Sequence, residues 1–283
     1  VTMYSNRSMR LTMCSIFAPL PSFFTSMSLP TDRLRHIWQT VFNDSDEFVD
    51  LYFRRRYPRA RTFVSMHDGQ VVAQAQCIVY NMTSAPGQPM LKIGYVSGLA
   101  TLPDYRGQGH AAFIMRQIHR WLYRHHIDYS LLIPQDQTAA LWYSRHFSYQ
   151  AGTSSYYCLA TPKQISTCTP LAILTPDITA LIQQHLSISP YTVQHTARDL
   201  ADQMAVCRMS GSGLYSTPSA ALFMAEKLSL LQGQEKYRIL DIFTTSIPAL
   251  PFEPEPYELH YMYLAICNSN PLPSNLRITL MLD

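Results

Sequence analysis

The residues from Tyr95 to Ala112 carry the densest chemistry in the sequence: Tyr-Val-Ser-Gly-Leu-Ala-Thr-Leu-Pro-Asp-Tyr-Arg-Gly-Gln-Gly-His-Ala-Ala. An apolar run, a polar turn and a glycine-rich start to a helical pattern follow one another. The first turn of a helix has N–H groups without intrahelical acceptors and sits at the positive end of the macrodipole, which suits a pyrophosphate. Gly107 and Gly109 let the backbone approach phosphate oxygens where a side chain would intrude, and Arg106 brings positive charge to the entrance. A helix start with no ligand reads the same glycines more plainly, so the hexapeptide alone decides little. A dinucleotide fingerprint, G-x-G-x-x-A, is also met by Gly107, Gly109 and Ala112. Its context is wrong. Residues 102–105 separate the glycines from the strand, and Asp128 precedes the next strand, where the fingerprint's acidic residue should close one.

The flanking sequence must supply a sheet to hold that loop. Thr31 is placed to cap a helix bearing Leu34, Ile37, Trp38 and Val41 at helical spacing, and Ser45 to cap a second helix over residues 46–56. Strands are expected over 62–66 and 70–80, joined at His67-Asp68-Gly69, because Asp-Gly supplies the positive φ of a tight hairpin turn. In the longer strand Val71, Ala73, Ala75 and Cys77 alternate with Val72, Gln74 and Gln76. A third strand covers 91–101. Helical periodicity then runs from Gly107 to His126 through Ala111, Ile114, Ile118, Trp121 and Leu122. A short apolar strand over 129–133, a helix capped by Asp136 to about His146, and an extended stretch over 149–159 complete the order. Helices on both faces of a partly antiparallel, partly crossover-joined sheet give an α+β fold with a mixed sheet.

The approach to the loop, a strand ending Leu99-Ala100-Thr101 and then x-Pro-x-Tyr-Arg-Gly-x-Gly, adds what the hexapeptide lacks. Together they resemble motif A of the GNAT N-acyltransferase superfamily, R/Q-x-x-G-x-G/A, through Arg106, Gly109 and Ala111. The resemblance spans roughly residues 34–159. It implies an acyl-coenzyme A-binding fold in which the backbone of Leu99, Ala100 and Thr101 pairs with the pantetheine arm of acetyl-CoA. The amides of Gly107, Gln108, Gly109, His110, Ala111 and Ala112, with Arg106, would hold the pyrophosphate. Ser97-Gly98 is then the expected bulge that splays this strand from its neighbour, and an N–H near Leu99 the expected oxyanion donor. The implied activity is transfer of an acetyl group to a primary amine of a small molecule or peptide, by direct attack on the thioester. A degenerate acyl-CoA-binding or regulatory protein is the alternative.

The family's next pattern, N-x-x-A-x-x-L-Y-x-x-x-G-F, is followed less faithfully by residues 137–149. Ala140 and Tyr149 fit, Gln137 and Ser148 are replacements, and Ser144 stands where the family's tyrosine protonates the departing thiolate. Tyr143 lies one step earlier, a rotation of about 100° around a helix, so a place in the core stays open for it. Tyr143 and Ser144 are therefore the candidate catalytic hydroxyls. Asp44, Asp46, Glu47, His67 and Tyr95 are candidate general bases, and ordinary helix capping accounts equally for the three acidic residues.

Residues 162–170, rich in Thr and Pro, read as a linker between a GNAT domain at 27–161 and a smaller, degenerate GNAT-like α+β domain at 171–283. The second domain has expected helices over 177–186 and 197–209 and strands over 220–225, 237–243 and 258–266. Such a layout is similar to tandem or Eis-type bacterial acetyltransferases. It would make Tyr257, Tyr261 and Tyr263 candidates for lining the acceptor pocket, with a plain core role as the competing reading. Residues 1–26 join Arg7 and Arg10 to an interrupted apolar stretch and read as a poorly ordered extension, neither signal peptide nor membrane span.

Over the 283 residues, 47% hydrophobic and 14% charged composition suits a packed core. A net charge of +3 makes no case for nucleic acid, and Arg54-Arg55-Arg56 beside Glu47 and Asp50 reads as a solvated helix face. Six cysteines without a C-x-x-C pair read as buried free thiols of a cytoplasmic protein. His119, His125 and His126 lack partners at ligand spacing, so no metal is expected. The acceptor and the oligomeric state are not written in the sequence.

Overall fold

Two short helices, made amphipathic by their apolar spacing, lead into the first sheet. α1 (Thr31–Phe42) buries Leu34, Ile37 and Trp38, and α2 (Asp46–Arg55) starts where Ser45 Oγ accepts the Phe48 N–H at 3.2 Å. A 3-10 turn, Tyr57–Arg59, holds Pro58 and postpones the first strand to Arg61. β1 (Arg61–His67) and β2 (Gln70–Met82) form the expected hairpin, with Asp68 and Gly69 both at positive φ. β3 (Leu91–Thr101), α3 (His110–Arg124), β4 (Tyr129–Leu132), α4 (Gln137–Phe147) and β5 (Gln150–Ser154) follow. Asp136 caps α4 by accepting the Ala139 N–H at 2.7 Å. The computed structural model describes residues 31–219, 221–231, 234–243, 250–268, 270–273 and 275–279, so the extension expected at 1–26 lies outside the described residues.

α3 begins at His110, not at Gly107 as the periodicity suggested, because Gly107 (φ 74°) and Gly109 (φ 87°) hold left-handed backbone that no α-helix contains. The glycines shape a loop ahead of the helix. The stretch expected to be extended over 149–159 is interrupted at 155–157, and its second half, β6 (Cys158–Ala160), joins a different sheet. The segment expected as a linker also carries structure, in α5 (Pro162–Ile165) and β7 (Thr169–Leu171). Beyond it come α6 (Pro176–Ile188), α7 (Ala197–Met209), β8 (Leu214–Ser216), β9 (Leu222–Leu231), β10 (Gln234–Phe243), β11 (Glu255–Pro256) and β12 (Leu259–Ala265).

The strands build two six-stranded sheets, ordered β1-β2-β3-β4-β12-β5 and β11-β6-β10-β9-β8-β7. β12 lies antiparallel between β4 and β5, pairing Met262 with both Leu132 and Ala151. The sheets therefore do not divide at residues 162–170: a strand from the far end of the chain completes the sheet that carries the glycine loop. Tyr261 (0% exposed) and Tyr263 (6%) pack with Tyr80, Ile93, Tyr129 and Leu131, which settles their role as core.

On one face of the first sheet Ala73, Ala75 and Cys77 meet Ile114, Met115, Ile118 and Leu122 of α3. On the other, Gln74 and Gln76 are buried under α1, not solvated as strand alternation alone would allow. In the basic run at the end of α2, Arg54 and Arg55 are exposed as expected, and the correction is at Arg56. Arg56 is 1% exposed and bonds Asp199 at 2.8 Å, while Arg55 and Arg59 reach Asp202. Its partners are some 140 positions away, beyond what local sequence can show. Cys77, Cys158, Cys168 and Cys207 are buried thiols and Cys267 is exposed. No helix among the described residues is long and apolar enough to cross a membrane.

Candidate active site

β3 and β4 run parallel but pair only from Ile93–Tyr129 to Tyr95–Leu131. Beyond Tyr95 they separate, and β3 continues alone to Thr101 along that side. The cause is a bulge on β3: Gln76 of β2 faces Ser97 while Gln74 faces Ala100, so β3 holds one residue more than its partner. Gly98 sits there at φ 60°, and a Cβ would lie 2.4 Å from the Trp38 ring and 2.5 Å from Gln76 Oε1. The bulge shifts the alternation of the strand. Before it, the Lys92 N–H bonds Asp128 and the Lys92 carbonyl accepts the Asp128 N–H at 3.0 Å, so even-numbered residues turn toward β4. After it, the Leu102 N–H donates to Val72 at 3.0 Å, so Ala100 and Leu102 face β2 and the peptide groups of Leu99 and Thr101 face the opening.

The opening leads to the glycine loop. Arg106 is exposed and its Nε donates to the Thr101 carbonyl at 3.2 Å, folding the loop back on the strand end. Gln108 Nε2 donates to the Asp104 carbonyl at 3.0 Å. Gly109 is the N-cap of α3 and has no side-chain cap; the first helical bond runs from the Phe113 N–H to the Gly109 carbonyl at 2.9 Å. The N–H groups of His110, Ala111 and Ala112 precede that bond, as donors at a helix start must. Nothing lies within 4 Å of where a Cβ would stand at Gly107 or Gly109, so open space covers the loop. His110 Nδ1 meets Ser65 Oγ at 2.9 Å, and its ring packs with His67 and Tyr105. Two polar atoms beside the loop, Thr101 Oγ1 and His110 Nε2, are buried without a hydrogen-bond partner.

Across β3, on the α1–α2 face, lies a polar floor that the sequence reading missed. Gln74 Nε2 donates to the Leu34 carbonyl at 2.7 Å, and Gln76 Nε2 donates to Gln74 Oε1 at 3.1 Å. A carbonyl only accepts, so the direction of both amides is fixed. Gln76 Oε1 is left as a buried acceptor without a partner beside Gly98. Tyr52 and Ser97 share a hydroxyl hydrogen bond of 3.0 Å next to it, and the Trp38 ring packs on Tyr52 at 4.4 Å. Two glutamines two residues apart in an otherwise apolar strand were the available signal.

The two candidate hydroxyls of α4 both turn inward. Tyr143 lies in the core with Ile118 and Tyr149, and burial pushes its phenol above the ordinary range. That makes it a weaker proton donor than a free tyrosine, contrary to the role expected of it. Ser144 Oγ donates to the Tyr149 carbonyl at 3.0 Å, which commits its proton to the turn closing the helix. The candidate bases are also engaged elsewhere, except one. Asp44 accepts from the Trp38 indole at 2.8 Å, Asp46 from Gln39, Tyr95 is packed on Tyr80, and His67 lies 3.5 Å from Asp68; Glu47 is exposed.

The first sheet is thus opened by a bulge on β3, and that strand leads into a glycine loop at the start of α3. Residues 30–150, the segment that carries the bulged strand and the glycine loop, match the acetyltransferase (GNAT) domain family. No curated protein matches the sequence. Among solved structures, a GCN5-related N-acetyltransferase from Anabaena variabilis is similar over 83% of this chain and 70% of its own, with 14% identity and a TM-score of 0.59. One from Kribbella flavida matches over 84% and 70%, with 12% identity and a TM-score of 0.58. Eis1 from Mycobacterium abscessus matches over 77% of this chain but 57% of its own, with 14% identity and a TM-score of 0.52. At such identities the likeness is one of fold, and it extends over both sheets.

Proposed function

We propose that the protein is an acetyl-CoA-dependent N-acetyltransferase acting by direct transfer to a primary amine of a small molecule or peptide. The observation that carries this reading is the row of outward peptide groups, Leu99 and Thr101, that ends at an open glycine loop. In the proposed complex Leu99, Ala100 and Thr101 pair with the pantetheine arm as an added strand would. The N–H groups from Gly107 to Ala112 and the Arg106 guanidinium hold the pyrophosphate. The unpartnered Thr101 Oγ1 and His110 Nε2 fit a polar ligand at this place.

The acyl donor supplies an activated thioester. The amine nitrogen bonds to the thioester carbon, the C–S bond breaks, the amide forms and the thiolate leaves. A main-chain N–H at Leu99, aimed into the opening, stabilises the oxyanion on the way. Among the described residues the buried carboxylates Asp199, Asp202 and Asp241 are all ion-paired with arginines, so the amine enters as free base and loses its proton to solvent. A thiol with an ordinary pKa of about 8.5 leaves without a strong acid, which suits a chain whose Tyr143 is buried and whose Ser144 is engaged.

That same pair of inward hydroxyls favours a second reading, a protein that binds acyl-CoA without turnover. A thiol-release assay with acetyl-CoA and a panel of primary amines separates the two. Amine-dependent release is expected, and Tyr143→Phe should change kcat by less than about threefold, well under the typical general-acid contribution. Binding of acetyl-CoA with no release by any amine would establish the second reading.

A further inference from the structure

The outer edge of β2, on the opposite side of β3 from the opening, carries a recess of its own. We propose that it binds a short extended peptide ending in a free carboxylate, which fills a gap in the sheet edge.

Two segments pair with this edge and leave a space between them. β1 begins at Arg61, opposite Cys77, because the Tyr57–Arg59 turn with Pro58 precedes it. At the other end Val193 bridges Met82, and the Gln194 N–H donates to the Asn81 carbonyl at 2.8 Å. Val79 lies between. The Asn81 carbonyl points outward, and strand alternation gives the Val79 N–H and C=O the same direction. The inner neighbour agrees: Val79 faces Gly94, which shares the parity of Lys92 and turns its peptide groups to β4. Val79 therefore offers one donor and one acceptor that no described strand takes.

A cavity of about 370 Å³ occupies this gap, lined by Val79, Arg59, Arg61, Gln194, Thr196 and Asp199, whose carboxylate is already paired with Arg56 and Arg59. Its surroundings carry surplus positive charge. Arg55, Arg56 and Arg59 share only Asp199 and Asp202, and Arg56 Nη2 is buried without a partner. Arg61 is exposed and has no ion pair among the described residues. The ligand must bring negative charge and main-chain hydrogen bonds.

Direction identifies where that charge sits. β1 is antiparallel to β2, and the Val193 bridge is antiparallel too, so both flanking segments run the same way. A peptide continuing that line enters beside Gln194, exchanges hydrogen bonds with Val79 and ends beside Arg61. The gap opposite residues 78–80 is roughly 10 Å long at a strand's rise of about 3.4 Å per residue, enough for two or three residues. Edge pairing contributes affinity, and a carboxylate on guanidinium contributes selectivity for the free C-terminus.

Calorimetric titration of the full chain with N-acetyl-Ala-Ala, as the acid and as the C-terminal amide, tests this. Saturable binding of the acid with a Kd at or below about 1 mM is expected, with the amide at least tenfold weaker. Arg61→Ala should weaken the acid by a similar factor. Val79→Pro removes the edge donor at an exposed position outside any ladder bond, and should abolish binding. Should that variant not fold, the N-methylated peptide removes the matching donor from the ligand and should bind no better than the amide. Acetyl-CoA titrations unchanged in Arg61→Ala keep this site separate from the proposed transferase site. Absence of saturable binding at about 10 mM, or equal binding of acid and amide, overturns the proposal.

Discussion

Gly98 and Gly109 occupy left-handed backbone for different reasons, and that contrast explains what each can tolerate. At Gly98 a side chain would strike Trp38 and Gln76, whereas at Gly109 it would enter the open space where a phosphate group is proposed to lie. Two histidines, His195 buried and His119 half-buried, make a further residue-scale prediction. Burial pushes His119 and His195 from 6.5 down to about 4. His195 donates from Nε2 to the Thr279 carbonyl at 2.8 Å and holds Nδ1 buried without a partner, so it is neutral in the fold. The unfolded chain takes up these protons first as pH falls. Their stabilising contribution is therefore complete above pH 6.5 and is lost toward pH 4, by about 1.4 kcal/mol per pH unit for each histidine. Urea midpoints should fall steadily between pH 7 and pH 4.5; a flat midpoint across that range would show that neither ring is held neutral. The glycine motif was legible in sequence because a positive φ leaves few residue choices. The direction of the Gln74–Gln76 relay was not, because it is set by a carbonyl on α1 that only the packed fold brings near.

Among the elements, α2 and α7 are joined through charge. Asp199 closes the capping box of α7 with Thr196 and accepts from Arg56 and Arg59 on the neighbouring helix and turn. Asp199→Ala would strand the Arg56 guanidinium, 1% exposed, without its carboxylate. Removing one partner of a buried pair costs about 3–5 kcal/mol, so a drop in Tm on the order of 10 °C is expected. Asp199→Asn, which keeps the cap, should lose less. A melt of Asp199→Ala within 2 °C or so of the parent would mean the pair is held loosely in solution. Helix starts were readable from Ser45 and Asp136, because caps act locally, whereas Thr31, expected to cap α1, is its first helical residue. The pairing of helix with helix was not, since Arg56 and Asp199 are 143 positions apart.

At the level of the whole molecule, β12 decides what can stand alone. It is flanked by β4 and β5, so the chain segment 27–161 lacks the middle strand of that half of its sheet. Expressed by itself, that segment should show no cooperative thermal transition, whereas the full chain should melt cooperatively. A well-folded fragment would mean that β4 and β5 pair directly and that β12 is dispensable. The mixed sheet, and the succession of β1 to β5 along the chain, followed from periodicity and turn residues. The insertion of β12 did not, because an apolar seven-residue strand specifies a face and no partner.

Calorimetric titration of the full chain with acetyl-CoA, in parallel with Gly109→Glu, examines the loop at the head of α3 without needing an acceptor. The parent should bind with a Kd in the micromolar range, typical of enzyme–cosubstrate pairs. Gly109→Glu places a carboxylate and a Cβ in the open space over the loop and should weaken binding by at least about 100-fold, near 2.7 kcal/mol, while the melt of the variant confirms that it is folded. A parent that gives no heat, or a folded Gly109→Glu that binds as the parent does, would contradict the assignment of that loop to the pyrophosphate.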